Sequence, residues 1–196
     1  MKNLRTYIIT IASLLIIYLV AQFNRPNAID WSETFNSNDK IPFGTYVIYN
    51  RLTDIFPKSK ISTFREPVYN VINDHGINNG TYIIICYRLN LNEYDYQKLK
   101  GFIKKGNDVF ISAVLFGNEL QKDFKIETNA QMGNIETASG VKFINKSLDT
   151  NKIYRVGKGV GGIYFSNVDT SKAVALGMDA LNHVNFLKYN IGKGNL

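Results

Sequence analysis

Hydrophobic positions fall into three patterns along the chain, and each predicts a different kind of element. From Leu4 to Phe23, LRTYIITIASLLIIYLVAQF, apolar residues cover every side, with no acid and Arg5 as the only base. A run of about 20 mostly apolar residues matches the hydrocarbon core of a bilayer, and hydroxyls such as those of Thr10 and Ser13 can return to the helix backbone. The buried helix of a soluble domain would keep a polar face, which Ile8, Ile11, Leu14, Leu15, Ile16, Leu19 and Val20 do not leave. A cleaved secretory signal would end on small residues, and Val20-Ala21-Gln22-Phe23 fits that poorly. The run therefore reads as an uncleaved membrane anchor.

The second pattern has helical spacing. Val47, Ile48, Leu52, Ile55 and Phe56 predict a helix over Thr45–Phe56, ended by Pro57, and a brief amphipathic piece includes Val71 and Ile72. The clearest helix follows Asn92, which is placed to cap it, with Glu93 and Asp95 near its positive end. Leu99, Phe102 and Ile103 line one face, Lys104 and Lys105 sit at the negative end, and Gly106 supplies the left-handed stop.

The third pattern is the continuous apolar run. Thr81–Tyr87 (TYIIICY) and Asp108–Leu115 (DVFISAVL) read as strands covered on both faces. Strand, helix and strand with short joints make a β-α-β unit whose strands should be parallel, so the domain is predicted to be α/β. Lys60–Phe64 reads as a further short strand. After Phe116 the pattern breaks into short strand candidates at 125–127, 141–145, 153–156, 162–166, 173–176 and 184–189, and the C-terminal part is expected to be mainly β.

Charge sets the expected topology. Lys2, Arg5 and the amino terminus precede the span, whereas Arg25 is followed by Asp30, Glu33 and Asp39. Positive charge stays in the cytoplasm, which predicts a short cytoplasmic segment (1–3), an anchor (4–23), a polar juncture (24–40) and one extracytoplasmic domain (41–196). In a bacterium that domain would lie on the outer side of the inner membrane. The bilayer is thus the first expected partner.

Composition narrows the chemistry. With 196 residues, the chain has enough left after the anchor for one domain with its own core. The single cysteine, Cys86, excludes an internal disulfide and a multi-cysteine metal site, and His75 and His183 belong to no ligand cluster, so neither a metal nor a cofactor is expected. The net charge of +7 is spread over scattered lysines rather than a basic block, which argues for a solvated surface and against nucleic-acid binding.

Three motifs invite a functional reading. Gly157, Gly159 and Gly162 satisfy the spacing of a dinucleotide fingerprint, but Ile163–Ser166 reads as a strand where a helix should open, so a glycine-rich hairpin is expected. Cys86 ends a strand, yet Ile85, Tyr87 and Arg88 are too bulky for a nucleophile elbow. It reads as a small buried hydrophobe, the alternative being the nucleophile of a hydrolase or amidotransferase with His75 or His183. Finally, Asp30, Trp31, Asp39 and Lys40 flank the start of the first domain helix, next to the amides of Phe43, Gly44 and Thr45. These seven residues form the candidate ligand or partner site, which could equally serve a sensor domain; in the structural alternative Asp39 caps the turn and Trp31 packs on the domain edge.

The order of Asp30-Trp31-Ser32-Glu33-Thr34-Phe35, Asp39-Lys40-Ile41-Pro42-Phe43-Gly44-Thr45-Tyr46, Val109-Phe110-Ile111-Ser112-Ala113, Asn185-Phe186 and Gly192-Lys193-Gly194 resembles a bacterial family, domain of unknown function 4350. The resemblance implies a degenerate class I glutamine-amidotransferase-like domain with a parallel, flavodoxin-like sheet and no catalytic triad. It also implies membrane-protein partners encoded beside a MoxR-type ATPase. Similar proteins continue beyond the Gly192-Lys193-Gly194 stretch to a second span, so a C-terminal truncation is expected of a chain stopping at Leu196.

Overall fold

The computed structural model describes residues 2–26, 28–130, 140–145, 150, 152–155 and 162–196. Its first helix, α1 (Lys2–Phe23), contains the apolar run, and the stretch Asn3–Phe23 has a mean hydropathy of 2.0 with none of its most apolar window buried. At about 1.5 Å per residue such a helix is long enough to cross a bilayer, consistent with a single-pass membrane protein.

The domain is organised around the helix that Asn92 starts. Its side chain accepts a hydrogen bond from Asp95 N at 2.8 Å, and α4 (Glu93–Lys104) runs from there to Gly106, whose φ of +103° ends it. The flanking strands β1 (Thr81–Leu89) and β2 (Asp108–Phe116) pair in parallel from Thr81↔Asp108 to Leu89↔Phe116, as the β-α-β pattern predicts. Leu99, Phe102 and Ile103 of α4 pack with Val109, and Tyr82, Ile84 and Ile111 close the layer from the sheet side. Asn107 latches this unit: its amide donates to Phe102 O and accepts from Gly80 N, both at 2.9 Å, which satisfies a buried side chain completely enough to be stable.

Two other short helices flank it. α2 (Tyr46–Ile55) lies where helical spacing predicts it, and α3 (Val68–Asp74) contains the amphipathic pair Val71 and Ile72. Beyond β2, α5 (Asn118–Phe124) was not evident in the apolar pattern; it buries Leu120 and Phe124 beside Tyr189. Lys125, expected to open a strand, instead ends this helix in the left-handed region at φ 50°, and β3 (Glu127–Ala130) begins two residues later.

The remaining strands are β4 (Gly140–Phe143), β5 (Tyr154–Arg155), β6 (Ile163–Asn167), β7 (Ala173–Asp179), β8 (Val184–Ile191) and β9 (Gly194–Asn195). The C-terminal part is mainly β, as expected. Seven strands form one sheet in the order β1-β2-β9-β8-β7-β4-β5, and β3 pairs with β6 in a second, two-stranded one. The sheet is mixed, not parallel throughout: among the described residues only β1·β2 and β2·β9 are parallel, and β9, β8, β7, β4 and β5 follow one another antiparallel. Between β7 and β8 and between β8 and β9 short turns enforce this, because parallel neighbours need a long crossover. Asp179 holds the β7–β8 turn by accepting from Leu181 N and His183 N at 2.8 Å, and Gly192 (φ 64°) makes the β8–β9 turn against the backbone of Lys104.

Two further expectations need correction. Lys60–Phe64 is not a strand; among the described residues the segment has no ladder partner, and a cleft lies between it and β1, the edge of the sheet. β1 is also not covered on both faces, since Tyr82 to Cys86 are only half-buried. The glycine-rich hairpin at 157–161 lies outside the described residues, while Ile163–Ser166 does fall in β6.

Candidate functional site

The proposed approach to α2 folds on itself. Phe35 N donates to Phe43 O and Thr45 N to Asn36 O, both at 2.9 Å, while Thr45 Oγ1 donates to Phe35 O at 3.2 Å. Gly44 N donates to Ile41 O at 2.9 Å, and a Cβ on Gly44 would sit 2.0 Å from Asp39 O, so only glycine lets the two arms of this turn meet. Trp31 meets the edge of Phe43 at 6.1 Å, and the Lys40 ammonium lies 4.5 Å from the centre of the Tyr46 ring. Asp30 accepts from Ser32 N at 2.9 Å and from its hydroxyl, and the hydroxyl bond first, then the amide bond, holds its carboxyl below the ordinary value.

The seven candidate residues are thus brought into one neighbourhood but not into one pocket. The amides of Gly44 and Thr45 are spent on Ile41 and Asn36. Asp39 contributes its backbone to the turn, its N–H donating to Asn36 O at 3.2 Å. Of the seven, Thr45 alone reaches the large cleft beside this loop.

That cleft, of about 1960 Å³, lies between the segment from Thr34 to Pro67 and strand β1. One wall carries Ile48, Leu52 and Phe56 of α2 and its end; the other carries Ile83, Ile85 and the edge of β1. Its walls meet loosely, since α2 has no buried residue and Val47 and Ile55 are well exposed. A smaller cavity of about 280 Å³ lies beyond it, lined by Ser112, Phe116, Thr128, Tyr164 and Asn185 among others. Phe35 and Cys86 line both spaces. Phe35 has a φ of 46°, a left-handed conformation that is costly for a bulky side chain and is held by its bond to Phe43 O.

The thiol and the two imidazoles near these spaces are engaged elsewhere. Burial pushes the Cys86 thiol up, the opposite of what a thiolate nucleophile needs, and no hydrogen bond joins it to either histidine among the described residues. His75 lines the large cleft, but its ring lies 4.4 Å from that of Phe64 and its Nε2 is 3.3 Å from Glu66. His183 stacks on Tyr164 at 4.3 Å, with Nδ1 2.9 Å from buried Asp179. Among the described residues no three His, Cys, Asp or Glu side chains gather as metal ligands.

Sequence reasoning passed over the features that shape this region: the left-handed Phe35, the open edge of β1 and the orphaned Asn185. A bulky residue in αL and an unpaired strand edge leave no mark in an apolar pattern, because both depend on what lies opposite. Among the described residues Asn185 Oδ1 is sealed from solvent without a donor, a fact that appears only once β2, β6 and β8 close on one cavity. Compared with known proteins, the chain matches no family model and no curated protein.

Proposed function

We propose that this protein is a membrane-anchored, non-enzymatic binding or scaffold domain of a bacterial envelope complex. The observation that carries the reading is the wide cleft between α2 and β1, whose walls offer contact surface while the nearby thiol and imidazoles are committed to packing and to carboxylates. In this reading the amino terminus is cytoplasmic and the domain stands on the outer side of the inner membrane. Family 4350 supplies the wider frame: a degenerate, flavodoxin-like relative of the amidotransferases, working with membrane proteins encoded beside a MoxR-type ATPase. The parallel β1-α4-β2 unit supports that frame and the antiparallel strands β7 and β8 depart from it.

A Cys86-dependent hydrolase or amidotransferase is the competing reading, and the raised thiol speaks against it. A sensor centred on Asp39 to Thr45 would need amides that are free, whereas those of Gly44 and Thr45 donate internally. The test is crosslinking in intact membranes followed by purification of the full chain. A discrete membrane-protein partner is expected. Robust turnover by the purified chain that vanishes in Cys86→Ser would overturn the proposal.

A further inference from the structure

β1 is a nine-residue edge strand, TYIIICYRL, hydrogen-bonded to β2 on one side. On the other side, among the described residues, no backbone or side-chain group bonds to the main chain between Tyr82 and Arg88. Natural sheet edges of this length are blunted by proline, bulges or inward-pointing charge, because an open row of N–H and C=O groups recruits another strand. From Thr81 to Tyr87, β1 has none of these devices. The large cleft runs along this open edge, so added backbone would have room to lie there.

The charges around the cleft are unequally committed. Its acids are occupied: Glu66 faces His75, Asp95 accepts from Tyr69 N at 2.7 Å, and Asp108 accepts from the Asn195 side chain at 2.7 Å. Its cations are not: among the described residues Lys58, Lys60, Arg65 and Arg88 make no ion pair, hydrogen bond or ring contact. The cleft therefore combines a backbone template, apolar walls at Ile83, Ile85, Leu52 and Phe56, and unpaired positive charge at its rim.

Resting on the binding-domain reading above, we infer that the cleft takes an extended, acidic segment of a partner protein, which adds to β1 as an eighth strand of the sheet. Main-chain bonds supply the affinity, alternate apolar side chains enter between β1 and α2, and flanking carboxylates meet Lys58, Lys60, Arg65 and Arg88. The occupant is extended because only a strand satisfies the edge. It is acidic because the free rim charges are all positive.

The test uses the full chain in nanodiscs and a short fluorescent peptide of alternating valine and threonine with glutamates at both ends. Anisotropy should show binding, and hydrogen exchange should show those amides between Ile83 and Tyr87 that point away from β2 becoming protected. A lysine-flanked peptide should bind at least about tenfold more weakly, and methylating alternate peptide nitrogens should abolish binding. The double variant Arg65→Glu/Arg88→Glu changes exposed side chains only and should reverse the preference between the two peptides. Equal binding of both peptides, or indifference to methylation, would overturn the inference. So would protection, in the free chain, of the β1 amides that point away from β2, since that would mean Lys60–Phe64 or a second copy already fills the edge. A partner crosslinked in membranes through another face would end this inference and leave the scaffold reading intact. Peptide binding without any crosslinked partner would do the reverse.

Discussion

The two sides of strand β1 are built on opposite principles. Toward α4, side chains interdigitate: Leu99 and Ile103 are almost wholly buried, and Asn107 ties the end of the helix to the start of the strand through two hydrogen bonds. Toward α2, the helix buries nothing, Val47 is 72% exposed, and a cleft replaces the core. A close-packed face resists change because each removed methylene leaves a void that its neighbours cannot fill. A loosely covered face costs little to open. The contrast places the packing that stabilises the domain on the α4 side and leaves the α2 side open for the recognition proposed above.

The sharpest way to break that division is to truncate one apolar side chain on each side. Leu99→Ala should cost about 2–5 kcal/mol, whereas Val47→Ala should stay within about 0.5 kcal/mol, measured by pulse proteolysis of the full chain across a urea series. Similar losses from the two would show that α2 is packed on the sheet in solution and that the cleft is closed. Next in size is Asn107→Ala, expected to cost about 1–3 kcal/mol because Gly80 N and Phe102 O lose their partner in a buried place. Retained stability there would mean that water reaches the latch, and the α4 side would no longer be the dry one.

The smallest effect concerns Asp123, which receives hydrogen bonds from Tyr96 Oη and Lys100 Nζ. Partial burial raises its carboxyl, but the bonds from Lys100 and Tyr96 outweigh that and hold it below the ordinary value. The Tyr96 hydroxyl moves the other way, up, first through burial and then through its bond to Asp123. A carboxyl depressed in the folded state stabilises it fully above the unfolded value of about 3.9, and that contribution disappears as pH falls through the lower folded value. Wild type should therefore exceed Asp123→Asn in melting temperature by a few degrees at most at neutral pH, with the gap closing below about pH 4. The group is partly exposed, so solvent screening keeps the effect small.

Much of the packed side was legible in the chain, because its signals are local. Asn92, Leu99, Phe102, Ile103 and Gly106 lie within one helix and its caps, and the apolar runs on either side are long enough to read as strands. The candidate site was less legible. Asp30, Trp31, Asp39, Lys40, Phe43, Gly44 and Thr45 do cluster, as their closeness in sequence suggests, yet the cleft beside them is bounded by β1 from a distant part of the chain. Lys60–Phe64 has the composition of a strand and no ladder, since a strand exists only where another backbone accepts it.

Asp95 shows most plainly where local reading stops. Its place in the first turn of α4 suits the positive end of that helix, and so composition alone explains it. In the folded domain its carboxylate is buried and accepts from Tyr69 N at 2.7 Å, capping α3 instead. Periodicity and capping, which act over a few residues, were enough to establish an apolar helix long enough to span a bilayer, the β-α-β unit and the β-rich C-terminal part. Strand order, the mixed direction of the sheet and the open edge of β1 depend on contacts between residues far apart in the chain, whose energies no local pattern contains.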